Sequence, residues 1–314
     1  MIKRSSFLAA TSVAAAATTV PVVIRAQTRT PLRVAGVLSD VFGEPFFAKA
    51  SGIFERAGFD LEVTSLANAG AVSAAIGGGS LELGTGDLIS GVNAIIKAVP
   101  VVLLAPAGMY ISSENNVILA VAKEGPIKEP RDLNSKIIGV PTLVGLSTAS
   151  VRAWLPANGV DLASVKIVEI PPAATFAAIQ RGTIDCALVG EPFLTPNKNE
   201  IRAIGKPYDT IATEFPVSVW YASKTWVEAD RERARRAANA IYEVGRWCNA
   251  HRDETFAILV RDAHFDGDKL KGMVRTTFGT GPITSAQVQP VLDLAYKVKI
   301  FDRQYQASDL ITRI

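Results

Sequence analysis

Short apolar runs alternate with segments of helical period along most of this chain. Residues 32–38 form an apolar-rich run that reads as a buried strand, and Pro45 suits the first turn of a helix over about 45–57. Gly58 closes that helix and 59–64 reads as the next strand. A short helix at 68–76 stops at Gly77, Gly78 and Gly79; 81–85 is strand, Gly86 and Asp87 open a helix to about Lys97, and 101–105 is strand. Such a β-α-β-α-β-α-β series implies a parallel sheet with right-handed crossovers.

The pattern breaks around 108–113, then restarts with a strand at 117–122. An apolar run at 137–140 stops at Pro141 and opens into the loop TLVGLST, followed by a helix from about Ser147, a strand at 165–170, PPAA, a helix and a last strand in TIDCALVGEPF. This second series ends near Tyr208. EFPVSVWYASKTW is a strand pattern, and helices are expected over 229–249, 252–261, 267–275 and 284–298. The simplest topology is one lobe interrupted by another: residues 31–110 and 217–314 form lobe one, 111–216 lobe two. Crossings near 109–113 and 213–219 form a hinge. The predicted fold is α/β and two-lobed, each lobe a mainly parallel sheet flanked by helices, with a cleft between them.

The N-terminus reads as a secretory signal over residues 1–26. Lys3 and Arg4 precede an Ala-rich apolar stretch that is short for a membrane span. KRSSFL has one arginine where a twin-arginine signal needs two, so general secretion is expected. Of 33 Lys and Arg and 30 Asp and Glu, Lys3, Arg4 and Arg25 lie before Gln27, so 33 − 3 leaves 30 of each sign. A neutral mature chain gives no electrostatic reason to bind nucleic acid or an anionic membrane. In DRERARR, Ala234, Ala237, Ala238 and Ile241 share one helix face and the charges occupy the other, as on a solvated helix. Neither cysteine, Cys186 or Cys248, follows the signal, so the mature protein is expected free in the periplasm without a lipid anchor. Cys186 reads as a small core residue, and the two are placed in different lobes, which argues against a disulfide.

Ligands of open α/β sheets sit outside the carboxyl ends of the strands. That rule selects Ser39, Asp40 and Phe42 after the first strand, Gly86 and Asp87 after the third, and Tyr110 and Trp220 at the crossings. It also selects Thr142, Gly145, Ser147 and Thr148 in the small-residue loop, and Glu191. Thr142, Ser147 and Thr148 supply hydroxyls, Gly145 lets backbone approach a ligand, and a helix N-terminus there contributes about 0.3–2 kcal/mol toward an anion. Ser147 or Thr148 can equally act only as a helix cap. Asp87 can simply cap its own helix, and Glu191 can be a first-turn acid beside Pro192. None of these loops carries Arg or Lys, while Asp40, Glu44, Asp87 and Glu191 are acidic. The acids favour a solute with an amine, hydroxyl or ring N–H, and Phe42, Tyr110 and Trp220 offer apolar walls.

Catalytic patterns are missing. Gly84, Gly86 and Gly91 fail the G-x-G-x-x-G spacing, and neither a phosphate loop nor G-x-S-x-G occurs. His251 and His264 fall in the C-terminal helical region without metal-ligand spacing. No cofactor and no metal are expected.

Four stretches carry a family resemblance. They are Asp132, Leu133, Lys136, Gly139, Val140 and Pro141; Ala177, Ala178, Gly182 and Asp185; and Glu191, Pro192 and Phe193, preceded by FFAKASGIFERAGFDLEV from Phe46. Over about residues 31–223 the chain resembles the nitrate-, sulfonate- and taurine-type substrate-binding subunits of ABC importers, related to thiamine-pyrimidine precursor binding proteins. The resemblance implies a type II periplasmic binding fold and a small organic solute, sulfonate, taurine-like or carboxylate, held between the lobes. It implies as partners the transmembrane permease subunits and their cytoplasmic ATPase, with the binding protein a monomer. It also leaves open an enzyme on the same scaffold, similar to thiamine-pyrimidine synthases or to desulfinases with Cys186 as nucleophile, or the receptor of a tripartite carrier.

Overall fold

The structure, a computed structural model, describes residues 29–114, 116–312 and 314; the expected leader at 1–26 lies outside the described residues. Its strands are β1 (Thr30–Gly36), β2 (Phe59–Ser65), β3 (Leu83–Asp87), β4 (Val101–Pro106), β5 (Gly108–Ile111), β6 (Val117–Ala122) and β7 (Ile137–Val140). They continue as β8 (Lys166–Glu169), β9 (Cys186–Gly190), β10 (Ile201–Gly205), β11 (Glu214–Pro216), β12 (Ser218–Ser223) and β13 (Thr277–Phe278).

Two five-stranded sheets result, ordered β2-β1-β3-β12-β4 and β10-β6-β9-β7-β8. β1 pairs parallel with β2 and β3, and β7 parallel with β8 and β9. The chain is therefore α/β with helices flanking two sheet lobes. Each sheet departs from the parallel expectation at one strand, for one reason. β12 runs antiparallel between β3 and β4, and β6 antiparallel between β9 and β10. Both strands immediately follow a passage from one sheet to the other, so the chain enters them from the opposite end. The passages themselves pair: β5 runs antiparallel to β11 and to β13, a small ribbon lying between the two sheets.

Gly267 to Arg275, expected as a helix, is a series of turns. Gly272 sits at φ 79°, a left-handed conformation that breaks helical hydrogen bonding, and the Asp266 carboxylate draws the Asp268 N–H to itself at 3.1 Å. The helix Ser285–Lys297 spans the space beside both sheets. Its Val288, Val291 and Leu292 join a hydrophobic cluster that includes Leu88 and Tyr221 beside the first sheet and Ile138, Leu155 and Leu188 beside the second. It packs on both Leu88–Ile96 and Leu146–Ala157. Cys186 lies in that cluster and Cys248 in another with Phe47, Phe54, Trp220 and Ile241; both thiols are free and buried.

Beneath the cleft-facing loop, the first turn of the helix Glu44–Ser51 buries an acid. Glu44 is fully buried; its Oε2 accepts the Trp220 indole N–H at 2.6 Å and its Oε1 has no partner. Burial drives the Glu44 pKa well above the usual glutamate range, and the indole bond only partly offsets this. In the window between the ordinary pKa and the raised one, the folded state holds a proton that the unfolded state has released. Stability from this site is present at low pH and is lost as pH rises through the folded pKa. Glu44→Gln, which cannot ionise, is expected to stabilise relative to wild type at pH 8, by about 1–3 kcal/mol, and to lose that advantage near pH 4.5. Urea denaturation at the two pH values checks it; an advantage independent of pH refutes the buried-acid account.

Candidate functional site

A cavity of about 630 Å³ lies between the sheets and is lined from both. The carboxyl ends of β1, β3, β7 and β9 supply Val37, Asp87, Pro141 and Gly190 to it, and the ribbon supplies Met109 and Tyr110.

The loop after β1 is held as a rigid wall. Gly36 carries no Cβ, so the Phe42 carbonyl can approach; an added Cβ would stand 2.9 Å from it. Thr85 Oγ1 donates to that carbonyl at 2.7 Å, and Ser218 Oγ donates to the Val41 carbonyl at 2.6 Å. Asp40 anchors the loop from below: Arg275 Nε donates to its Oδ1 at 2.9 Å and Arg275 Nη2 at 2.6 Å, while the Thr276 N–H donates to Oδ2 at 2.6 Å. Ser39 and Phe42 are left facing the cavity.

Asp87 stands where the two lobes meet. Its Oδ1 accepts the Ser90 N–H at 3.0 Å, capping its own helix, and the Leu146 N–H at 3.3 Å, the first amide of a helix in the other lobe. Burial raises its pKa above the usual aspartate value, opposed by these N–H donors. Opposite it, Ser147 Oγ and Tyr208 Oη lie 3.4 Å apart. Tyr110 donates to Asp209 Oδ1 at 2.6 Å and packs edge-to-face on Tyr208 with centroids 5.3 Å apart, a rigid aromatic wall. Burial foremost, then the Asp209 hydrogen bond, pushes the Tyr110 phenol up, so it stays protonated as a donor. Glu191 reaches the cavity, but its Oε2 accepts the Thr195 N–H at 3.1 Å and its Oε1 the Thr195 hydroxyl at 2.6 Å.

Seven expected positions thus line the cavity: Ser39, Phe42, Asp87, Tyr110, Thr142, Ser147 and Glu191. Five do not. Asp40 is spent on Arg275 and Thr276. Gly86 makes room for Tyr221, whose ring would stand 2.6 Å from an added Cβ and whose hydroxyl donates to the Asp87 carbonyl. Gly145 is buried at the start of the helix Leu146–Ala157. Thr148 turns inward and donates to the Thr142 carbonyl at 2.5 Å. Trp220 is fully buried in the core, bonded to Glu44.

Other lining residues escaped the strand-end rule. Tyr208 follows a lysine-proline pair in a short 3-10 turn, Thr276 lies beyond the broken helix, and Ser90, Asn93 and Lys97 come from the side of Leu88–Ile96 and its end. That helix packs beside Ala69–Gly77, which lines the cavity with Gly70 and Ser73. Cys186 is not on the lining, and burial pushes its thiol far up, against thiolate formation. Among the described residues no group of three or more His, Cys, Asp and Glu could hold a metal ion, and no helix is long and apolar enough to cross a membrane.

The sequence model of the NMT1-like family matches residues 31–261, most of the chain. The chain belongs to the NMT1-like family. Related proteins include a putative binding protein of Brucella abortus, 30% identical over 281 residues that cover 86% of this chain and 82% of that protein. The taurine-binding periplasmic protein of Escherichia coli is 26% identical over 242 residues, 72% of each chain. The nitrate/nitrite binding protein NrtA of Synechococcus elongatus is 29% identical over 119 residues, 37% of this chain and only 27% of NrtA. Among solved structures, the alkanesulfonate-binding protein SsuA of Xanthomonas axonopodis pv. citri, bound to MOPS, superposes with a TM-score of 0.75 at 13% identity, covering 91% of this chain and 99% of SsuA. The desulfurization enzyme DszB, in complex with biphenyl-2-sulfinic acid, shares the fold at a TM-score of 0.66 and 14% identity, covering 90% of this chain and 96% of DszB. For this NMT1-like chain, those two likenesses establish architecture and no more.

Proposed function

We propose that the protein is the solute-binding component of an ABC-type importer. It works as a periplasmic monomer that captures a small organic solute between its lobes and delivers it to the membrane permease, whose cytoplasmic ATPase drives uptake. The carrying observation is the cavity lined from both sheets, with a hydrogen bond from Leu146 to Asp87 across it. We divide the lobes at 31–110 with 217–314 and at 111–216, hinged where β5 and β11 pass between the sheets. A solute touching both halves stabilises the closed arrangement by its differential affinity for it. The polar contacts we assign are Ser39, Thr142, Ser147, Tyr110 and Asp87, with Phe42 as an apolar wall.

The test is a thermal-shift screen of sulfonates, taurine, carboxylates, amines and pyrimidines. One chemical group is expected to raise the melting temperature progressively with concentration, adding about 2.7 kcal/mol of stability at a hundredfold excess over Kd. Small-angle scattering with the same compound should show a more compact particle. Silence across the whole panel at millimolar concentration removes the solute-binding reading.

A further inference from the structure

Building on the solute-binding reading, we propose that this cavity selects a solute presenting a protonated amine or another N–H donor, and that Asp87 is the residue that turns away a bare oxyanion. The place where an oxyanion would dock is already filled. At the head of the helix Leu146–Ala157 the first amide points at Asp87 Oδ1, 3.3 Å away, and the Ser90 amide holds the same oxygen at 3.0 Å. An anion seeking that helix end must displace a carboxylate that caps another helix, or lie beside its charge in a site only 7% exposed at Asp87.

Other donors of the loop are also committed inside the protein. The Thr148 hydroxyl serves the Thr142 carbonyl at 2.5 Å, and the Leu143 N–H serves Glu169 Oε2 at 3.1 Å. The carboxylates of Asp87 and Glu169 also line the space, beside the aromatic wall of Tyr110 and Tyr208, while both oxygens of Glu191 are bonded to Thr195. Lys97 is the one Lys or Arg on the described lining, and it ends the helix that Asp87 begins. Ten residues of helix put about 15 Å between them, too far for Lys97 to neutralise an anion at the Asp87 end. A donor cation or N–H group satisfies Asp87 where an oxyanion opposes it, and carbon-rich aromatic faces suit the remainder of an organic amine.

Isothermal titration of wild type, Asp87→Ser and Asp87→Asn with ethanesulfonate and nitrate tests this, after circular dichroism shows each variant folded. Ser and Asn both keep a cap for the Ser90 amide while removing the charge. The expected result is at least tenfold tighter ethanesulfonate binding by Asp87→Ser or Asp87→Asn than by wild type. Wild-type affinity equal to the variants', or no gain in either variant, overturns the proposal. In the thermal-shift screen, compounds that stabilise wild type are expected to carry an N–H group and to lose at least tenfold in affinity with Asp87→Asn; a hit without one overturns it too. A silent panel removes the importer reading, while the gain of anion binding on losing Asp87 is read separately.

Discussion

Arg275→Met is expected to lower stability by about 3–5 kcal/mol and the melting temperature by on the order of 10 °C. Arg275 and Asp40 form an ion pair whose side chains are 9% and 1% exposed. Arg275 further donates to the Arg252 carbonyl at 2.6 Å and to Thr255 Oγ1 at 3.1 Å, tying the first turn of the helix Arg252–Ala263 to the loop after β1. Removing the guanidinium leaves the Asp40 carboxylate buried with only the Thr276 N–H, and the cost is that of an uncompensated charge. A double variant, Asp40→Leu with Arg275→Met, is expected to recover much of the loss, because an apolar pair carries no desolvation penalty. Urea unfolding of the two single variants and the double variant measures this. Near-additive losses would show that the pair's coupling is weak.

Trp220→Ala is expected to cost about 3–5 kcal/mol, with no change in solute affinity of the folded protein. The indole is fully buried in β12, its ring stacked near Phe54 at 6.3 Å between centroids. Truncation opens a cavity and leaves Glu44 without the only hydrogen bond its carboxyl group has. The ring does not reach the ligand space, so the loss should appear in urea midpoints and not in titrations. Weakened solute binding at a temperature where the variant is fully folded would return Trp220 to the site. Trp220→Phe, which keeps most of the volume, is expected to fall between wild type and alanine.

The residues differ in how far their roles could be read along the chain. Ser39 and Thr142 follow strands built on short apolar runs and Asp87 ends β3, and a strand's carboxyl end fixes where its next residues emerge. Trp220 also follows a crossing, yet it is buried away from the lining. Its side of the strand depends on β12 entering the sheet antiparallel between β3 and β4, which no local pattern encodes. Asp40 is drawn off the lining by Arg275, 235 residues away, a partner no local pattern points to. Thr148 lies one residue beyond Ser147 in the first turn of the helix Leu146–Ala157, and that step of about 100° turns its hydroxyl inward to the Thr142 carbonyl while Ser147 lines the cavity. Tyr208 and Lys97 carry no signal by which they could have been found: one sits in a 3-10 turn and the other on a helix flank.

Periodicity and turn residues determined the alternation of strands and helices, because those depend on side-chain spacing and backbone preference within a few residues. The same local chemistry placed the small-residue loop at a strand's carboxyl end, where Thr142 and Ser147 line the cavity. Folding alone decided that Asp87 would bond across to Leu146, and that the helix Ser285–Lys297 would pack on both lobes. Those contacts join segments remote in sequence, and their geometry is set by sheet order and core packing, which are properties of the whole chain.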